Sequence, residues 1–177
     1  RFLFYHLFSF LIAVGFLLMG LDFMKQSMAQ LATLIGIEQL SNVGPCAYLV
    51  FGFFVTAVIH SSSAMMMIAL SALFSDLISI ESAALIIIGA DVGTTMTALV
   101  GSLKGNAVKK RIGLAHFLIN VGTAAMAILI LKPLLLVIHN VFQINNLLYT
   151  LVAFHSSFNA LGVMLFFPFL GIFEKFL

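Results

Sequence analysis

Charged side chains occur in only a few places along this chain, and the runs between them are apolar. No Asp, Glu, Lys or Arg stands between Glu38 and Asp76, between Arg111 and Lys132, or between Lys132 and Glu174. An α-helix rises about 1.5 Å per residue, so a run of about 20 apolar residues covers the hydrocarbon of a bilayer. The composition agrees: 63% of residues are hydrophobic, 8% are charged, and the mean hydropathy is +1.21. A soluble domain carries about a quarter charged residues and needs them to cover its outside. The chain therefore reads as an all-α membrane protein. Its net charge of +2 is too small to point to a partner, and no nucleic-acid partner is expected. The lone Cys46 excludes an internal disulfide framework and reads as packing rather than reactivity. The chain opens on Arg1, not Met, directly in an apolar run. That is expected of a segment of a longer protein or of a trimmed end.

Apolar runs and charge positions divide the chain as follows. Residues 1–25 form a first spanning helix. Residues 26–44, with Glu38, Gln39, Asn42, Gly44 and Pro45 around their end, read as an interfacial segment and a break. Residues 45–78 are apolar but are interrupted by His60-Ser61-Ser62-Ser63. Residues 81–103 form another span, read as a broken helix because GADVGTT lies inside it. Residues 104–111 are a basic loop, 112–139 a further span, and 147–173 the last. Each half of the interrupted segment is about 22 Å of helix, too short to cross. A re-entrant hairpin with HSSS at its tip is therefore favoured over one long kinked helix. This gives about four transmembrane helices and one re-entrant helical hairpin. Lys104, Lys109, Lys110 and Arg111 place the basic loop in the cytoplasm by the positive-inside rule. The count of positive charges fits the hairpin without requiring it.

The polar run is where chemistry is expected. Polar groups at membrane depth must face protein or a watery cavity. One serine commonly bonds back to its own helix and aids packing. Three in a row after a histidine point all around a helix, and one would face lipid. A break removes that conflict. The second half-helix would start near Ser62 or Ser63, as an N-cap, and turn its free N–H groups toward an anion. The carbonyl end of the first half-helix, after Thr56, suits a cation. In Gly89-Ala90-Asp91-Val92-Gly93-Thr94-Thr95-Met96-Thr97 the paired glycines alone mean helix packing, and a packed, locally satisfied kink is the plain alternative. An intramembrane carboxylate, however, marks an ion path or a paired charge. The threonines add oxygens suited to a hard cation. No Lys or Arg lies mid-span, so an oxyanion would meet only hydroxyls, amides and His60. A cation bound alongside would offset the cost of desolvating it. Two further pairs, His116 with Asn120 and His155 with Asn159, each share a helix face. Both read first as helix-to-helix hydrogen bonding, with His155 the better functional candidate.

These residues resemble the sodium/phosphate cotransporters of the type II kind and their bacterial relatives. That family carries a QSSS motif at hairpin tips and a GANxGTT motif in the helix that follows. Here the matching stretches are His60-Ser61-Ser62-Ser63-Ala64 and Gly89-Ala90-Asp91-Val92-Gly93-Thr94-Thr95. The basic stretch Gly101 to Asn120 is similar as well. The resemblance spans most of the chain. It implies sodium-coupled phosphate symport by alternating access in the cell membrane, and no enzyme activity. The anion would meet Ser61, Ser62, Ser63, Thr94, Thr95 and His60. The co-transported sodium ions would meet Asp91, Thr95, Thr97 and Thr56. The family is built of two inverted repeats, and this chain looks like the second. A second repeat half, or another copy of the chain, is then expected as partner beside phosphate and the bilayer. Two residues depart from the pattern: the family's Gln is His60 and its Asn is Asp91. Together they are candidates for a charge pair. Transport of another small anion, a scaffold half with no transport of its own, and an intramembrane enzyme using Ser61 or Ser62 as nucleophile, with His155 and Asp91 completing a triad on paper, are the competing readings. The last lacks a nucleophile elbow, and its neighbouring His60 points elsewhere on a helix.

Overall fold

Short polar signals start and stop each helix. The computed structural model describes residues 2–34, 44–169 and 171, which are helical with no strand among them. Six helices run in order: α1 (Phe2–Leu34), α2 (Pro45–Ile59), α3 (Ser62–Phe74), α4 (Ile80–Ser102), α5 (Ala107–Asn140) and α6 (Leu147–Phe166). A 3₁₀ turn, Phe167–Phe169, continues α6. Pro45 opens α2, where its missing N–H costs nothing. Ser79, Asn106 and Asn146 cap α4, α5 and α6, each oxygen accepting from backbone N–H groups of the first turn. The apolar stretches between these caps do the rest. Ile80–Ser102, Ala107–Asn140 and Leu147–Phe169 are long and apolar enough to cross a membrane. The count of about four included the N-terminal helix, whose apolar part, Phe4–Gly20, is shorter.

Contacts at the helix ends set the directions. The start of α2 (Gly44, Pro45, Tyr48) lines one cavity with the start of α4 (Ser79, Glu81, Ser82, Leu85), and His60, just after α2, reaches Thr97 of α4. The two helices therefore run the same way. α3 runs back, so that its end (Ser71, Phe74) meets the start of α6 (Leu148, Tyr149). Lys132, late in α5, lies 3.9 Å from Glu81 at the start of α4, so α5 is antiparallel to α4. That ion pair is exposed and contributes little. The interrupted apolar segment is thus two opposed helices, α2 and α3, rather than one kinked helix.

α4 is the centre of the bundle, and its buried run Ile86, Ile87, Ile88, Gly89 and Ala90 faces several neighbours. Met65, Ile68, Ala69 and Ala72 of α3, Ala124 and Ala127 of α5, and Leu151, Phe154 and Phe158 of α6 complete the core. Three glycines bring α2 onto α4. A Cβ on Gly52 would meet the Ile86 carbonyl, one on Gly89 the Leu49 carbonyl, and one on Gly93 would sit 2.5 Å from the Phe53 oxygen. Small residues allow such backbone approach, which is what holds helices together in lipid. Outward side chains are largely apolar, among them Phe16, Phe54 and Leu129.

The structure corrects four sequence expectations. α4 is continuous through GADVGTT: its glycines serve packing, and no break is needed. α1 runs on to Leu34, past the boundary expected at residue 25; residues 35–43 of the expected interfacial segment lie outside the described residues. The basic stretch is only partly a loop. Asn106 caps α5, so Lys109, Lys110 and Arg111 are already helical. Cys46 is exposed, not buried. The last segment is described as far as residues 169 and 171.

Candidate ion-binding site

The turn between α2 and α3 is built from the polar run itself. α2 ends when His60 takes a left-handed conformation, φ 59°, and its N–H bonds the Thr56 carbonyl at 2.7 Å. A non-glycine residue adopts that conformation at some cost. The His60 ring is held: Nδ1 lies 2.8 Å from the Thr97 hydroxyl of α4. Ser61 is extended and caps α3, its Oγ accepting from the Ala64 N–H at 3.2 Å. The cap is therefore one residue earlier than expected, because His60 absorbs the whole reversal. Ser62 and Ser63 form the first turn. Helix-start N–H groups have no carbonyl partner within the helix; Ala64 is served by Ser61, while those of Ser62 and Ser63 are left without a partner in α3. Ser62 is half-buried, whereas Ser63, His60 and Thr97 are exposed. Ser61→Ala should therefore lower stability by about 1 kcal/mol, while Ser62→Ala and Ser63→Ala should leave it nearly unchanged. Unfolding in detergent checks this.

α4 presents two different faces. Gly93 and Thr97, four apart, face the hairpin; Asp91 faces α6, and Thr95, four residues on, is buried. Asp91 meets α6 through three contacts. His155 Nε2 lies 3.0 Å from Oδ1 and 3.2 Å from Oδ2, and Asn159 Nδ2 donates to Oδ2 at 2.7 Å. Asn159 also donates to the His155 carbonyl at 3.1 Å, which explains the spacing of four. The His155 ring stands edge-on to buried Phe158, centroids 5.5 Å apart. The His60–Asp91 charge pair expected from sequence is not formed: His60 goes to Thr97 and Asp91 to His155. The sequence set His155 beside Asp91 only as a triad in the competing enzyme reading, and did not assign Asn159 to Asp91 at all. Their four-residue spacing in the last span was the available signal.

The threonines divide in the same way. Thr94 donates to the Asp91 carbonyl at 2.7 Å and Thr95 to the Val92 carbonyl at 2.6 Å. Their protons are thereby used within α4, which leaves hydroxyl lone pairs free. Thr56 is different. It packs against Gly93, is 0% exposed, and its hydroxyl has no hydrogen-bond partner. A buried hydroxyl without a partner costs about 1–3 kcal/mol and calls for an explanation. Among the described residues no group of three His, Cys, Asp or Glu side chains is placed to hold a metal. What the site offers a cation is oxygen from hydroxyls, carbonyls and one carboxylate, the donor set of a hard ion. The first His–Asn pair stays local: Asn120 Nδ2 donates to the His116 carbonyl at 3.0 Å.

Residues 16–168 match the Na+/Pi-cotransporter family. The chain belongs to that family. This sodium/phosphate cotransporter family is one of transporters, not of enzymes, and its ions agree with the donor types just described. The Uncharacterized protein YqeW of Bacillus subtilis (strain 168) is 26% identical over 115 residues, 65% of this chain and 38% of the relative. The chain thus spans well under half the length of that relative. No solved structure matches it. Within this member of the family the hairpin is fixed to α4 at two levels, by glycine packing along α2 and by the His60–Thr97 bond at the tip. The α4–α6 contact at Asp91 is a separate lock on the opposite face.

Proposed function

We propose that the chain carries sodium-coupled phosphate symport across the cell membrane by alternating access. Phosphate binds at the start of α3, on the N–H and hydroxyl groups of Ser61, Ser62 and Ser63, with His60, Thr94 and Thr95 beside it. Sodium takes oxygens on the two faces of α4: Thr56 and Thr97 on the hairpin side, and Asp91 on the α6 side, with Thr95 four residues on. The observation that carries this reading is the buried Thr56 hydroxyl, which lies one turn before a helix reversal and lacks any partner. Its oxygen accepts no hydrogen bond, so a bound cation would satisfy it. Among the described residues no lysine or arginine is bonded to the tip, so cation and anion stabilise one another and bind together.

α2 and α3 are the two arms of a re-entrant hairpin, one domain with the spans around it. Glycine packing makes α2 move with α4, so the site is exposed to one side and then the other by rocking of this unit against a partner. That partner is a second repeat half or another copy of the chain, and the exposure of His60, Ser63 and Thr97 supports a seat for it at the tip. The basic turn between α4 and α5 faces the cytoplasm. The test is uptake of labelled phosphate by proteoliposomes holding the full protein, with inward sodium or with choline in its place. Sodium should be required. Thr56→Val, which matches the shape of threonine without its hydroxyl, should raise the half-saturating sodium concentration about 10-fold, the equivalent of about 1.4 kcal/mol. Phosphate uptake that is equal in choline would sink the reading.

A further inference from the structure

The turn from α4 to α5 carries four cations that no described carboxylate balances. Lys104, Lys109, Lys110 and Arg111 are all exposed, and among the described residues no carboxylate lies within ion-pair distance of them. Their position compounds the imbalance. Lys109, Lys110 and Arg111 sit in the first turns of α5, at the positive end of that helix, which has no acidic residue in its first turn. Cations are disfavoured there unless an anion compensates. The end of α5 itself does not supply a vacant cradle, because the Asn106 side chain already accepts from the Lys109 N–H at 3.0 Å. Any anion is therefore held by the side chains. One of them is directed: the Lys109 stem lies across Gly105, where a Cβ would come within 2.7 Å of Lys109 Cβ and 2.9 Å of Cδ.

Apolar side chains surround these cations and are as exposed as they are. Val100 and Leu103 at the end of α4, and Val108 and Ile112 at the start of α5, are 57%, 61%, 59% and 63% exposed. Val108 and Ile112 are four apart and form a short stripe on α5. Exposed apolar groups interleaved with exposed cations match the boundary between acyl chains and headgroups. The apolar groups set the depth, and the cations are then level with the phosphates of the lipids. We infer that this turn is a binding site for anionic phospholipid headgroups. A free oxyanion would be served by the cations alone and would gain nothing from the apolar flank. The site lies one to two turns beyond Thr97, so a bound lipid braces the end of α4 that carries the hairpin tip. The inference rests on membrane embedding and not on which ion is transported.

The chain contains three tyrosines but no tryptophan, so Leu103→Trp provides a single tryptophan, selectively excited, beside the cations. Quenching of L103W is measured in vesicles containing brominated phosphatidylglycerol in a phosphatidylcholine background, and in the reverse arrangement. Half-maximal quenching is expected at about a 10-fold lower mole fraction for brominated phosphatidylglycerol. In the Lys104→Gln, Lys109→Gln, Lys110→Gln, Arg111→Gln combination the preference should fall below about 2-fold, while Lys132→Gln leaves it intact. If the fourfold variant does not fold, L103W with its charges intact gives the second readout. Its preference should shrink between about 0.1 M and 1 M salt, where the screening length falls from about 10 Å to 3 Å. Equal quenching by both lipids overturns the inference, as does a preference that survives neutralisation or high salt. Loss of the preference to inorganic phosphate, but not to chloride at equal ionic strength, overturns it in favour of a free-anion site.

Discussion

Gly89→Ala should cost the protein about 2–3 kcal/mol, while Gly101→Ala in the same helix should gain about 0.5–1 kcal/mol. Helix propensity favours alanine at both positions, less at Gly101 in the last turn, so the opposite signs come from packing. At Gly101 an added Cβ meets nothing within 4 Å. At Gly89 it would drive into the Leu49 carbonyl and lie 3.0 Å from the Phe53 nitrogen, both backbone atoms of α2. Backbone cannot rotate away as a side chain can, so the hairpin must move off α4. That movement also strips Thr56 from Gly93 and stretches the His60–Thr97 bond. Uptake should therefore be lost together with stability. Unfolding in detergent and proteolysis of the α2–α3 turn measure the first, and labelled phosphate the second. A Gly89→Ala protein as stable as wild type would mean that α2 is not seated on α4 as described.

The spans were legible because charge is expensive in lipid. Glu81, Lys104 and Lys132 stand near helix ends or on exposed faces, and the apolar runs between them are helices. The reversal at residues 60–63 was legible for the same reason, since serines and a histidine cannot all face lipid on one straight helix. Whether Gly89 and Gly93 mark a break as well as a packing face was not. Glycine permits both an unwound helix and close packing, and only the presence of α2 against this face decides between them. The side-chain cap at Ser61, rather than Ser62 or Ser63, depends on His60 taking a left-handed conformation that its sequence neighbours do not impose. Pairing across helices was the least legible. His60, His116 and His155 were all available to Asp91, and the rotation of α4 about its own axis is what assigns it to His155. That rotation follows from packing distributed over the whole bundle, not from the motif.

Asp91→Leu should reduce sodium-driven phosphate uptake by about 100-fold, equivalent to about 2.7 kcal/mol. Leucine fills similar space but leaves Asn159 Nδ2 and His155 Nε2 facing an apolar side chain. Its effect on stability should be smaller, about 1 kcal/mol, because buried hydrogen bonds between membrane helices contribute modestly. Asp91→Asn keeps an acceptor oxygen for Asn159 and removes the negative charge, so it should fold normally and retain more uptake than Asp91→Leu. Two double-mutant cycles then separate the pairings. Asp91→Asn with His155→Gln should show a coupling of about 1 kcal/mol, since the two side chains touch. Asp91→Asn with His60→Gln should be additive within about 0.5 kcal/mol, since they face different sides of α4 and share no partner. A strong coupling in the second cycle would restore the charge pair that the sequence suggested and place both ions in one cluster. Additivity would leave two locks on α4, one to the hairpin and one to α6. Sodium oxygens would then lie beside each, an arrangement in which filling one face is felt at the other through the single helix they share.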